Sequence, residues 1–137
     1  MTAIEWVDVL ETGYPDLDRE HQALIEECNA LTALVQNRGA WSAIVAGVRA
    51  LAHGCAAHFR LEEHLLEDTE FPRCEAHKQQ HEKIEQRFEE LAGFLASVDG
   101  SLPEHWEAAR SMRGALLDVL FRHDLDYKSH LQHVAGR

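Results

Sequence analysis

The sequence predicts an all-α fold: an antiparallel up-down four-helix bundle with an extended N-terminal arm. Three observations predict it. Apolar residues recur at alternating steps of four and three along most of the 137 residues, a spacing that gathers them on one face of a helix. Breakers are few, and they divide the chain into four long helical segments. No strand-like alternation and no internal repeat is present. Four long helices joined by short connections make an up-down bundle, and residues 1–137 read as a single domain.

Each element follows from its own residues. Residues 1–16 form an irregular arm with Gly13 and Pro15 near its end. The first helix is expected from about Asp16 to Asn37, with His21, Leu24, Cys28, Leu31 and Val35 inward. "NRG" at 37–39 ends it, and Gly39 suits a left-handed cap. The second helix is expected from about Ala40 to Asp68. Its seam is Ile44, Val48, Leu51, Cys55, His58, Glu62 and Leu65. Pro72 opens the third helix, proline being favoured in a first turn. There His77, His81, Ile84, Phe88, Leu91, Leu95 and Val98 repeat the pattern until "DGS" at 99–101. Ser101 and Glu104 match a capping box, with Pro103 in the first turn. The last helix is expected to run to about His133. It carries two adjacent stripes, Met112–Leu116–Val119–His123 and Leu117–Leu120–Asp124–Tyr127–Leu131.

Bulk properties narrow the function. Lys and Arg number 13 against 24 Asp and Glu, a formal net charge of −11. Without a basic footprint a nucleic-acid partner is not expected. No apolar run approaches the roughly 20 residues that span a bilayer, and "MTAIEWVDVLETG" lacks the basic-then-apolar plan of a signal peptide. Cys28, Cys55 and Cys74 are odd in number and widely spaced, which argues against a disulfide framework. A cytoplasmic protein is expected, with Cys28 and Cys55 as buried thiols.

Metal-binding residue types fall on helical spacings. His58 and Glu62 are four apart in "HFRLEE", His77 and His81 four apart in "HKQQH", and His21 lies upstream in "LDREHQAL". Residues four apart stand one above the other on a helix face. A single histidine on an apolar face is ordinarily a hydrogen-bonded core residue. A set of imidazoles entering one seam with a carboxylate is different, because burying an unpaired carboxylate is costly and a cation removes that cost. The three cysteines do not cluster, which argues against thiolate zinc. Imidazole with carboxylate suits iron, manganese or zinc. The seam is richer in His and poorer in Glu than the Glu-x-x-His di-iron carboxylate bundles. His53, His64, His105, His130 and His133 are expected at the surface or behind the metal ligands.

Together these residues resemble the hemerythrin family in its bacterial branch, over nearly the whole chain. Trp6, Gly13, Asp18 and His21 match the arm and first ligand helix, "HFRLEE" matches H-F-x-x-E-E, and "FPRCEAHKQQH" resembles the aromatic-Pro segment leading into H-x-x-x-H. The resemblance implies two iron ions, bridged by two carboxylates and an oxo or hydroxo group. It implies His77 and His81 on one iron, His21 and His58 on the other with an open position for O2, and Glu62 bridging. The fourth helix departs from the family's H-x-x-x-x-D followed by Tyr. Aligning on "DLDYKSHL" makes Asp124 the bridging carboxylate and Tyr127 the tyrosine, but places Val119 where the family has histidine. Aligning on "DVLFRH" makes His123 the ligand and puts Lys128 at the aspartate. The first alignment is favoured. His123 then ligates from one turn further on, with Asp124 or Asp126 as carboxylate, or water fills the position, or the site holds one metal.

Two classes of function follow from the resemblance. One is a binding protein, an oxygen carrier, store or sensor that takes O2 or another small diatomic ligand beside His21 and His58. Leu24, Cys28, Cys55, Phe59 and Leu65 would limit water there. The other is an enzyme reducing peroxide or nitric oxide at an extra open metal position. Iron storage or metal sensing is a third. The binding reading is preferred.

Overall fold

The chain folds into helices where its apolar period runs, and the connections fall where that period breaks. A computed structural model describes residues 4–5, 12–119 and 125–135, without the side chains at 125, 126 and 135. Five helices and no strand occur among the described residues: α1 Pro15–Gln36, α2 Trp41–Asp68, α3 Cys74–Ser97, α4 Pro103–Asp118 and α5 Leu125–Ala135. The fold is all-α.

Helix α1 starts with Pro15 in its first turn and Asp16 and Asp18 beside it, acidic groups at the positive end of the helix dipole. The Asp18 carboxylate also holds the arm. Its Oδ1 accepts from the Thr12 amide at 2.8 Å and from the Thr12 hydroxyl at 2.9 Å. Further back, Ile4 packs into the core and exchanges two hydrogen bonds with the Asn29 amide side chain, at 2.7 and 2.8 Å.

Helices α1 and α2 end alike. At the end of α1 the Gly39 amide donates to Leu34 O at 2.9 Å and the Arg38 amide to Val35 O at 3.1 Å. At the end of α2 the Phe71 amide donates to Leu66 O at 2.9 Å and the Glu70 amide to Glu67 O at 3.1 Å. In this motif the left-handed residue precedes the one that makes the outermost bond. That corrects the expectation for Gly39: the positive φ belongs to Arg38 (52°) and, in the second motif, to Glu70 (57°). Gly39 lies against the Leu34 side chain, which would have to shift to admit a Cβ there.

The later helix boundaries shift as well. Helix α3 begins at Cys74, so Pro72 sits in the preceding turn rather than the first helical turn. Pro103 occupies the first turn of α4, which makes Leu102 the cap residue. The expected Ser101–Glu104 box therefore does not form. The His105 ring reaches back instead, its Nδ1 accepting from the Leu102 amide at 3.3 Å. The described parts of the expected final helix are α4 and α5. Regular α geometry runs to Asp118 and changes to π geometry at Val119. Residues 120–124 lie outside the described part.

The inward stripes hold with a small drift. His21, Leu24, Cys28, Leu31 and Val35 are buried, as are Ile44 through Glu62 of the second stripe. Further along, Leu66 is buried in place of Leu65 and Ala92 in place of Leu91. An α-helix turns every 3.6 residues, so a strict four-three alternation slips off the face after several turns.

Helix α1 packs on α2, α2 on α3, α3 on α4, and α4 returns to α1. The interior holds two apolar clusters. The larger includes Leu24, Cys28, Val48, Leu51, Cys55, Phe59, Ile84, Phe88, Met112 and Val119. The smaller contains Leu17, Leu66, Phe71, Tyr127 and Leu131. Along α1, His21 lies between Leu17 of one cluster and Leu24 of the other. Along α2, His58 and Glu62 lie between Cys55 and Leu66. A layer of polar side chains thus separates two hydrocarbon layers. No helix among the described residues is long and apolar enough to cross a membrane.

Candidate metal centre

Three helices supply the polar layer. Helix α1 contributes His21, α2 contributes His58 and Glu62, and α3 contributes His77 and His81. All five are at most 1% exposed. Each i,i+4 pair puts both of its groups on one helical face, and the packing of α2 between α1 and α3 brings the three faces together.

Glu62 is the centre of the arrangement. Its Oε1 lies 2.6 Å from His77 Nε2 and 2.9 Å from His81 Nε2. Its Oε2 lies 2.9 Å from His58 Nε2 and accepts from the Tyr127 hydroxyl at 2.7 Å. His21 Nε2 is 2.9 Å from His58 Nε2, with the two ring centroids 4.4 Å apart. Two donor groups result, His21–His58–Glu62 and Glu62–His77–His81, each with its ligand atoms within 4.8 Å of one another. Glu62 belongs to both.

Outer contacts hold the rings. His81 Nδ1 is 2.7 Å from Glu63 Oε2, and the Phe59 ring stacks on His81 at 4.0 Å with the planes 6° apart. His77 sits against the edges of Phe71 and Tyr127. Glu20, half-exposed, brings a carboxylate oxygen to 3.6 Å from His58 Nδ1. That is too long for a hydrogen bond.

The electrostatics follow from burial opposed by contact. Desolvation pushes the Glu62 carboxyl upward, but hydrogen bonds from His58, His77 and His81 outweigh it and hold Glu62 well below the ordinary carboxylate range. Desolvation pushes His81 downward, and its contacts with Glu62 and Glu63 outweigh that and raise it above the ordinary imidazole value. Glu62 is therefore ionised in a fully buried position, which is tolerated only with strong partners.

This donor set fits cations. Two ring nitrogens face each other across 2.9 Å at His21 and His58, and a single proton is all that can lie between them. Two more converge on one carboxylate oxygen. Four imidazole Nε2 atoms and both oxygens of one carboxylate, turned into a buried layer with no thiolate among them, suit iron, manganese or zinc.

Of the seven residues singled out from sequence, the structure brings together His21, His58, Glu62, His77 and His81. His123 and Asp124 lie outside the described residues, as do Trp6 and the side chain of Asp126. Val119, where the resemblance places a histidine, is fully buried in the larger apolar cluster. His53, His64 and His133 are exposed. His130 lies 3.0 Å from the Thr69 hydroxyl and ties α5 to the end of α2. His105 departs from expectation: it is buried, beside Trp41 and well removed in sequence from the five clustered residues. Three contacts were not read from sequence: Tyr127 on Glu62, Glu63 on His81, and Phe59 stacked on His81. The only local signal was the adjacency of Phe59 to His58 and of Glu63 to Glu62 in "HFRLEE".

Comparison with known proteins points to one family. The model of the hemerythrin HHE cation binding domain matches residues 12–132. A bacteriohemerythrin of Pseudomonas paraeruginosa is 30% identical over 124 residues, covering 90% of this chain and 75% of the relative. One from Pseudomonas aeruginosa matches equally well. A third, from Stenotrophomonas maltophilia, is 31% identical over 90 residues, covering 66% of this chain and 58% of the relative.

Proposed function

The chain belongs to the hemerythrin HHE cation-binding family, and from that premise we propose that it is a non-heme di-iron protein binding O2 reversibly, as a carrier, store or sensor. In this reading residues 1–137 are one domain, and the ring of contacts α1–α2–α3–α4–α1 is an antiparallel up-down four-helix bundle. His77 and His81 would hold one iron, His21 and His58 the other, and Glu62 would serve both. His123 and Asp124 complete the set, with Asp126 the alternative carboxylate.

The observation that carries the reading is the division of Glu62. One oxygen faces His77 and His81, and the other faces His58, beside which stands His21. A carboxylate that serves one cation has no need of two imidazole groups on opposite oxygens. Two iron ions bound there would supply the reversible electron exchange that O2 binding requires. The chain's own residues do the rest. Tyr127 fixes the carboxylate by donating its proton to Oε2. Phe59 and Glu63 fix the plane of His81. Hydrocarbon on both sides of the polar layer keeps water from the buried groups and strengthens each electrostatic contact there.

Iron analysis of protein prepared under reducing conditions, with absorption spectra before O2, after O2 and after its removal, tests the proposal. About two irons per chain and a spectrum that returns on removal of O2 are expected. Fewer than one iron per chain, or irreversible oxidation in a single exposure, overturns it. A second reading rests on Val119, a buried hydrocarbon where the family resemblance places a ligand. A further open metal position would favour reduction of peroxide or nitric oxide, and sustained turnover with either substrate would select it.

A further inference from the structure

Glu63 lies just outside the ligand layer but is not a free surface carboxylate. Its side chain is 12% exposed, and its two oxygens have different partners. Oε2 lies 2.7 Å from His81 Nδ1, and Oε1 lies 3.3 Å from Arg60 Nη1. The other guanidinium nitrogen, Arg60 Nη2, pairs with Glu85 on α3. A continuous chain of contacts therefore runs Glu85–Arg60–Glu63–His81–Glu62, from the surface to the carboxylate at the centre. It crosses between α2 and α3 three times.

We infer that Glu63, held in place by Arg60, is a positioning residue for His81: it accepts the Nδ1 proton and commits the Nε2 lone pair to a metal ion. The inference rests on the metal-site reading above. An imidazole that ligates through Nε2 must carry its remaining proton on Nδ1, and a carboxylate at Nδ1 fixes that arrangement and makes the ring a better donor. The Phe59 stack fixes the ring plane but offers no acceptor, so it leaves the choice of nitrogen open. Arg60 acts through Glu63. It is half-exposed, and with one nitrogen on each carboxylate it sets where Glu63 Oε1 sits. The metal position served by His77 and His81 is thus anchored from outside the ligand set.

The test uses the full-length protein loaded with iron, and separately with zinc as a diamagnetic probe. In the zinc form, nitrogen NMR of labelled histidines should show His81 metal-bound at Nε2, with an Nδ1 proton slow to exchange. Glu63→Gln, which keeps shape and loses charge, should move that proton signal, and Glu63→Ala should abolish its protection. The signals of His21 and His58 should stay in place. In the iron form, release of one of the two metals to a chelator should quicken about 10-fold or more in Glu63→Ala, the lower end of such outer-contact effects. Glu63→Gln should be intermediate. Arg60→Met should act in the same direction but less, and should add nothing when combined with Glu63→Ala. Wild-type release rates and an unmoved His81 signal in both Glu63 variants overturn the inference while leaving the metal site standing. Independent, additive effects of Arg60 and Glu63 overturn the Arg60 part. A wild-type protein that binds neither metal overturns this inference together with the reading beneath it.

Discussion

Tyr127→Phe removes one oxygen atom and nothing else. The ring is fully buried among Leu17, Leu66, Phe71 and Leu131, and phenylalanine fills the same volume without a cavity. The hydroxyl donates to Glu62 Oε2 at 2.7 Å, a short bond to an ionised group. Such bonds contribute about 1.5–3 kcal/mol. Glu62 Oε2 keeps His58 Nε2 at 2.9 Å, so the carboxylate is weakened rather than orphaned, and the lower half of that range applies first. For a chain of this size each kcal/mol moves the melting temperature by roughly 3–6 °C. Metal-free Tyr127→Phe is therefore expected to melt about 5–15 °C below metal-free wild type. Iron-loaded protein should show a smaller shift, because cations then neutralise part of the charge on which the hydroxyl acts. Iron per chain should be unchanged, since Tyr127 touches the carboxylate through an oxygen that still has its imidazole. The assay is paired thermal denaturation, followed by helical circular dichroism, with iron analysis on the same samples. A metal-free variant melting within about 1 °C of wild type would refute the reasoning, because a buried hydrogen bond to an ionised carboxylate cannot be lost at no cost. A large loss of iron would show instead that the hydroxyl takes part in binding.

Three further outcomes are expected. Glu62→Ala should lose most of its iron at equilibrium, whereas Glu63→Ala should load under excess iron and differ mainly in release rate; iron analysis that reverses this order would mean the two helical faces are misassigned. If His123 serves as a ligand in place of a histidine at 119, His123→Ala should lose about one iron per chain and Val119→His should alter or restore binding; unchanged stoichiometry and spectrum in His123→Ala would sink the shifted-ligand idea. Metal-free and iron-loaded protein should respond to pH in opposite directions. His81 is raised above 6.5 and Glu62 lowered below 4.5, so in metal-free protein both contributions are complete between those values. The His81 contribution then fades as pH rises through its raised value, and the Glu62 contribution as pH falls through its lowered one. Iron affinity instead strengthens as pH rises, because His81 must give up a proton to ligate. Melting curves and chelator competition between pH 5 and 8 that slope the same way would contradict this.

Much of the site was legible because it is local. His58 and Glu62, or His77 and His81, share a face by virtue of helix geometry alone, and that geometry also separates Glu62 from Glu63, rotated by roughly 100°. The apolar steps along α1 to α3 likewise follow from a period that any helix must obey, so the inward stripes could be written down residue by residue. The drift from Leu65 to Leu66 shows the limit. The alternation is an approximation to 3.6, and its error accumulates until neighbouring helices decide which residue faces in.

Contacts between helices were a different matter. Tyr127 meets Glu62 across 65 positions, Glu63 meets His81 across 18, and His105 is buried beside Trp41 rather than among the clustered histidines. No spacing along the chain encodes these distances. They depend on how one packed helix is rotated and raised against the next. The sequence by itself determined the long runs of helix, the faces that α1 to α3 bury and the five side chains that those faces carry inward, because each is settled within a turn or two of backbone. Only the tertiary structure decided that these faces meet in one layer, that Glu62 divides its oxygens between two histidine groups, and that Glu63 stands behind His81, because each depends on side-chain packing between segments far apart in the chain.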